Sequence, residues 1–360
     1  VSADRKRLIF SVLRAVLGFG LAALLIHLTL KSTKTSVGTL CHEILNGNRP
    51  LLLTALALYG FVVGITVRRW QMLLAVQGVH ISFPQAARLT MIGVFFNLAI
   101  PGAVSGDLVK MGYVAKYAKS KAAEAILTIM LDRVLGLVGL FVLASVVLVL
   151  SLPVLASLPP EFRMLRWAAF VIGLGSVGGI LFLAAVEWRE KWIGLPGVAG
   201  VLEWCGRTAP AAVTRVVLRF VNALELYRNA RLTVLKAILL SVLVHFSMGM
   251  CLFTIARAEG EPHLRAMDYV LVMQVANSVG AIPITPGGFG MRDATTAKFL
   301  EALGAAQEKR GIIPVTLTMV FVAWGLVGAV VFIVSPGLRT VAAHPSPGDD
   351  TVTPPPGAVT

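Results

Sequence analysis

Charge is scarce in this chain. Of its 360 residues, 14% are Asp, Glu, Lys or Arg and 57% are hydrophobic, against about 25% charged in an average soluble domain. A soluble globular fold is nearly excluded. Cysteine is rare as well: Cys41, Cys205 and Cys251 are scattered, odd in number and without C-x-x-C or Cys/His spacing, which disfavours a disulfide scaffold and a zinc site. Enzyme fingerprints are missing too, with no Gly-x-Ser-x-Gly, His-Glu-x-x-His, P-loop or dinucleotide glycine pattern. No cofactor or metal is expected, and the lack of a nucleotide site argues against an ATP-driven pump. Acidic residues are the minority charge, 18 against 32 Lys plus Arg, for a net +14. In so apolar a chain the excess marks cytoplasmic loops facing anionic lipid rather than a nucleic-acid surface.

What the chain does have is long apolar runs. Residues 8–30 follow Arg5, Lys6 and Arg7 and are long enough to cross a hydrocarbon core of about 30 Å. No small-residue cleavage site follows, only Lys31 to Lys34, so this reads as an uncleaved first span. Further runs at 51–67, 125–150, 167–186, 234–255 and 312–334 bring the expected crossings to six. Two shorter apolar stretches, 89–100 and 267–282, end in Pro and Gly. Lipid cannot satisfy the backbone groups that such breaks set free, so they must be buried in protein or line a wet cavity.

Charge placement decides how the first of these runs. Arg68, Arg69 and Arg88 precede it, and Lys110, Lys116, Lys119 and Lys121 follow. Both flanks prefer the cytoplasm, which favours a helical hairpin that enters and leaves on that side. The expected architecture is an all-α polytopic membrane protein with six full transmembrane helices and two re-entrant or broken hairpins, the second opening on the opposite face. Both termini fall in the cytoplasm of a cell (inner) membrane protein. The membrane domain covers 1–336, with halves of about 1–160 and 161–336; residues 337–360 are a Pro-rich tail expected to be disordered.

The two broken regions echo each other. Asn97-Leu-Ala-Ile-Pro101-Gly102 precedes Gly106-Asp107, a polar helix and a span with Leu135-Gly-Leu-Val-Gly139. Asn277-Ser-Val-Gly-Ala-Ile-Pro283 precedes Pro286-Gly287-Gly288, then Arg292-Asp293, a polar helix and a span with Trp324-Gly-Leu-Val-Gly328. With three crossings per half, the second half would be inverted relative to the first. That is the geometry of secondary transporters, whose discontinuous helices bind substrate near the midplane.

These residues, with Arg69-Trp70-Gln-Met-Leu73-Leu74 and Gly78, Asp132-Arg133-x2-Gly136-Leu137, and Phe289-Gly290-Met291 before Arg292-Asp293, carry a family resemblance. The sequence resembles the flippase-like membrane domain of lysylphosphatidylglycerol synthases over roughly 8–336. The resemblance implies an integral membrane protein that moves or handles amphiphilic lipids. The chain reads as a stand-alone relative, since a proline-rich tail stands where two-domain members carry an aminoacyl-transferase domain. Partners implied are membrane lipids with anionic or zwitterionic headgroups, with a lipid-modifying enzyme as a further candidate.

Ionisable residues at hydrocarbon depth usually face a partner or a cavity. Asp132 and Arg133 diverge by about 100° on a helix, so each needs a partner elsewhere. They are either headgroup contacts or a structural pair that locks hairpin to span. Asp107 and Lys110 present one charge of each sign towards a headgroup, unless Lys110 begins a solvated face with Lys116 and Lys119. Arg292-Asp293, after the Pro286 to Gly290 turn, is the candidate anionic-headgroup site; its alternative is a conformational turn held by Arg292. Pro101, Gly102, Pro283, Pro286, Gly287 and Gly288 are candidates through the backbone groups they free. Asn97 and Asn277 are read first as caps for loosened carbonyls.

Arg68 and Arg69 read as snorkelling to lipid phosphate, and His245 as a satisfied packing residue. Gly175-x3-Gly179 fits close helix packing, within the protomer or between copies. Residues 198–231 alternate apolar and basic positions, as expected of a helix lying on the cytoplasmic leaflet. The functional expectation is transfer of a lipid headgroup between leaflets. The competing classes are a membrane-embedded transferase or phosphatase and a non-catalytic partner of a lipid synthase or glycosyltransferase.

Overall fold

The computed structural model describes residues 46–99, 105–118, 121–187, 230–281 and 290–335, together with Ser36, Gly38 and His42. Among them there is no strand. The elements are α1 Arg49–Val76, α2 Phe83–Ala99, α3 Ser105–Ala118, α4 Ala122–Leu150, α5 Leu152–Ser157, a short 3-10 turn Pro160–Phe162, α6 Arg163–Glu187, α7 Arg231–Ala258, α8 Ala266–Gly280, α9 Met291–Ala302 and α10 Lys309–Val334. The protein is thus all-helical, as its composition requires. The expected first span, the 198–229 part of the expected surface helix and the tail lie outside the described residues.

Four helices, α1, α4, α7 and α10, are long and apolar enough to cross a membrane. α1 has 28 residues, about 42 Å at 1.5 Å per residue, and runs past the end of the apolar stretch at Val67. It continues because no breaker occurs until Gly78, which takes φ +69° just after the helix; its amide donates to Ala75, and that of Val79 to Leu74. A positive-φ glycine of this kind closes the last carbonyls of a helix. α6 is helical over 25 residues, where the fourth span was expected.

Each short apolar stretch is a helix followed, after a break, by a second helix that packs back on it: α2 with α3, and α8 with α9. Gln85 at the start of α2 and Tyr117 and Ala118 at the end of α3 line one small pocket with Gly78 and Lys121. The mouth of this first hairpin therefore lies at the C-terminal end of α1, where Lys121 Nζ donates to the carbonyls of Gln77 and Gly78. At the other end of α1, Asn48 N–H donates to Ala258 O at the close of α7. There Glu261, before α8, accepts from the amide of Ala306, after α9, at 2.9 Å. The two hairpins open on opposite ends of the bundle, the disposition that an inverted repeat predicts.

Small residues set how closely these pieces approach. A Cβ on Gly139 of α4 would run into Ser241 of α7, and one on Gly249 of α7 into Val270 of α8. Gly325 and Gly328 of α10 lie against Leu98 and against the Met91 carbonyl and Phe95 of α2. The first hairpin is thus seated on α10. Phe95, Phe96 and Phe332 complete that seat as an aromatic cluster, with edge-to-face contacts at 5.0 and 5.2 Å.

Candidate functional site

The inner end of the first hairpin is built by Asn97. Its side-chain oxygen accepts from the amide of Gly106 across the break at 2.8 Å, so it satisfies a free N–H at the start of α3 rather than a loosened carbonyl. Gly106 must be glycine there, because a Cβ would strike both the Gly93 carbonyl and the Asn97 side chain. Asn277 has no equivalent bond among the described residues; it stands half-buried one turn before Ala281.

Beyond that cap, α3 presents Asp107 at its third position and Lys110 one turn later. Asp107 is buried and accepts both forks of Arg133, Nε and Nη2, the latter at 2.7 Å. Asp132 faces the other way, as the helical divergence required. It accepts Nε and Nη2 of Arg69 at 2.8 and 3.0 Å, and the third fork of Arg69 reaches Ser241 Oγ of α7 at 2.7 Å. Two bidentate pairs thus tie α3 to α4 and α1 to α4.

Arg69 corrects the sequence reading. It is 5% exposed and does not snorkel; because α1 runs on to Val76, Arg69 falls inside the span, where a cation needs an anion. Lys110 does not begin a solvated face either, being 5% exposed with its ammonium 3.5 Å from the centre of the Trp70 ring. Arg133, in contrast, keeps 51% of its side chain accessible although it stands eleven residues into α4. A cation open to contact at that depth borders either lipid or a wet recess.

The second hairpin repeats the theme with a carboxylate and a hydroxyl as the partners of its arginine. α9 is capped by Gly290, whose amide donates to Asp293 Oδ2, a carboxylate at the third helical position reaching back to the cap. Arg292 Nη2 donates to Asp293 Oδ1 at 3.1 Å and to Thr318 Oγ1 of α10 at 2.7 Å, while the Thr318 hydroxyl donates to Asp293 at 3.0 Å. The guanidinium also lies over Phe321, 4.4 Å from its centre. Arg292 and Asp293 are both buried and are engaged with each other and with Thr318.

Tyr59 of α1 packs against the apolar clusters that hold both hairpins, and its ring lies 4.6 Å from that of Phe321. Tyr59, Ser241 and Thr318 escaped sequence reasoning, since a single hydroxyl in an apolar run carries no periodic or charge signal. His245 was expected to be a satisfied packing residue; Nε2 bonds the Gly136 carbonyl at 3.2 Å, while the buried Nδ1 has no partner among the described residues. Pro101, Gly102, Pro283, Pro286, Gly287 and Gly288 lie outside the described residues. A pocket of about 620 Å³, bordered by Arg68, Gln71, His80 and Lys236, opens beside the cytoplasm-facing end expected for α1 and contains none of the candidate residues.

The arrangement sets buried charges against both breaks, with one partly open cation, Arg133, at the first. The family model for the lysylphosphatidylglycerol synthase TM region matches residues 15–335. The chain belongs to that family. It is a multi-pass membrane protein of a lipid-handling family. No individual curated protein matches it.

Proposed function

We propose that this protein carries the polar headgroup of a membrane lipid between leaflets, past the facing ends of the two hairpins, while the acyl chains stay in the bilayer. One observation carries the reading: the hairpins open on opposite ends of the bundle, and each has at the start of its returning helix a carboxylate paired with an arginine, Asp107 with Arg133 of α4 and Asp293 with Arg292. A path of this kind offers a headgroup polar contacts at mid-depth, where lipid offers none.

Arg133 is the group that first meets the headgroup in this scheme, because it alone of the four charges keeps an open face. Cargo is a phospholipid, an aminoacyl-phospholipid or a glycolipid, and the membrane is the cell membrane with both termini in the cytoplasm. Arg68, Arg88, Lys116, Lys121 and Lys236 gather at the end of the bundle where the first hairpin opens, and such an excess favours the cytoplasmic side.

Reconstitution in liposomes with a fluorescent phospholipid tests the proposal. Arg133→Gln lowers the rate of headgroup exchange between leaflets, whereas the exposed pair member Lys298→Gln leaves it unchanged. Equal exchange by folded wild-type protein and protein-free vesicles overturns the reading.

A further inference from the structure

The charges around the first break do not balance. α1, α3 and α4 bring three cations together, Arg69, Arg133 and Lys110, with two carboxylates, Asp107 and Asp132. Both carboxylates are taken up by arginine forks. Lys110 is left over: it is 5% exposed and has, among the described residues, no carboxylate oxygen within 4 Å and no hydrogen-bond acceptor.

The Trp70 ring beneath it does not complete the site. Trp70 is wholly buried, and its Nε1 has no acceptor among the described residues. An aromatic face attracts a cation but accepts none of its N–H bonds in ordinary geometry. Lysine offers three donors and no acceptor, and indole offers one donor and no acceptor. A buried indole N–H without an acceptor and a cation without a carboxylate of its own therefore meet at one ring, with a surplus positive charge. What such a place lacks is an oxygen that is anionic and accepts only.

We infer that Lys110 and Trp70 form an anchoring site for an ionised phosphate oxygen of a lipid headgroup at the inner end of the first hairpin. This rests on the headgroup reading above for its setting and adds the chemical class: a phosphate-bearing lipid rather than a neutral glycolipid. The site is built on one side only, because at the second break Arg292 already has Asp293 and Thr318 as partners. A phosphate would accept from the Lys110 ammonium and the Trp70 indole and make the cluster neutral. Whatever the rest of the headgroup carries would extend past Arg133, the accessible member of the cluster.

Native mass spectrometry of the purified full chain in detergent tests this without any transport. The probes are dioleoyl phosphatidylglycerol, dioleoyl phosphatidylcholine and dioleoylglycerol, each added singly, with inorganic phosphate as competitor. Wild type should retain both phosphate lipids over dioleoylglycerol. Lys110→Met should lower that retention about tenfold, and Trp70→Phe, which keeps the ring and its packing, about threefold. Lys298→Met should match wild type.

Unchanged retention in folded Lys110→Met overturns the inference, as does retention of dioleoylglycerol equal to phosphatidylglycerol. Should Lys110→Met fail to fold, Trp70→Phe decides it, and full retention in that variant overturns it. Displacement of bound lipid by millimolar inorganic phosphate, lost in Trp70→Phe, would assign the site to free phosphate and overturn the lipid source. Retention dependent on Lys110 in a protein that exchanges no lipid in vesicles would sink the transport reading and leave the anchoring site standing.

Discussion

Asp132 and Arg133 are neighbours in sequence and partners of different helices: Asp132 is held by Arg69 of α1, and Arg133 holds Asp107 of α3. One peptide unit of α4 thus serves as the junction between a full span and the first hairpin. The two pairs differ in kind. The Arg69 pair is sealed, with both side chains 6–7% exposed, whereas the Arg133 side chain is half open.

The sealed pair should behave as structure. Asp132→Ala leaves a buried guanidinium without its anion and should cost about 3–5 kcal/mol, while replacing both Arg69 and Asp132 by leucine should cost less than either single change. Thermal unfolding in detergent checks the order. A double variant worse than both singles would contradict it.

The half-open pair should behave differently. Asp107→Asn and Arg133→Gln should each slow leaflet exchange, and the reversed pair Asp107→Arg with Arg133→Asp should recover part of it, because the tie between α3 and α4 is remade. Exchange rates in one vesicle preparation decide this. No recovery would mean that orientation as well as pairing is required.

Two glycines of α3 separate packing from propensity. Gly106→Ala has no room beside the Gly93 carbonyl and should destabilise the protein, whereas nothing lies within 4 Å of a Cβ at Gly112. Gly112→Ala should therefore stabilise it by about 0.5–1 kcal/mol. Melting temperatures of the two variants should move in opposite directions.

The mouth of the second hairpin should weaken in acid. Burial pushes the Glu261 carboxyl up, but the amides of Ala306 and His263 and the His263 side chain outweigh it and hold it below the usual carboxylate range. A depressed folded value means that this stability is fully present above the ordinary carboxylate value and is lost as pH falls through the folded one. Hydrogen exchange at Ala306 should quicken as pH is lowered through that range, after correction for intrinsic rates. Glu261→Gln should abolish the effect.

Opposite openings can be read directly. In a chain whose Cys41, Cys205 and Cys251 are replaced, cysteines at Lys116 and Glu308, both exposed, should react with a membrane-impermeant thiol reagent from opposite sides of sealed vesicles. Labelling of both from one side would contradict the arrangement.

Much of this was legible in the sequence, for physical reasons. Long apolar runs located α1, α4, α7 and α10, and the Pro–Gly breaks located both hairpins, because lipid leaves so few ways to arrange backbone. The divergence of Asp132 and Arg133 followed from helix geometry alone. Their partners did not. Arg69 looked like an interfacial residue because hydropathy ended at Val67, while the helix, lacking a breaker, went on for two more turns. Lys110 was ambiguous because a lysine in a basic stretch gives no sign of which face it occupies. Thr318 and Ser241 were silent, their roles depending wholly on an arginine from elsewhere in the chain.

The seat that Gly325 and Gly328 provide for α2 bears on how the protein is made. α2 leaves the ribosome more than two hundred residues before α10, so during synthesis its docking surface does not yet exist. The early hairpin must wait at the insertion machinery, or beside it, until the final helix arrives. A chain stopped before Lys309 would then persist as an unfinished assembly for quality control to remove.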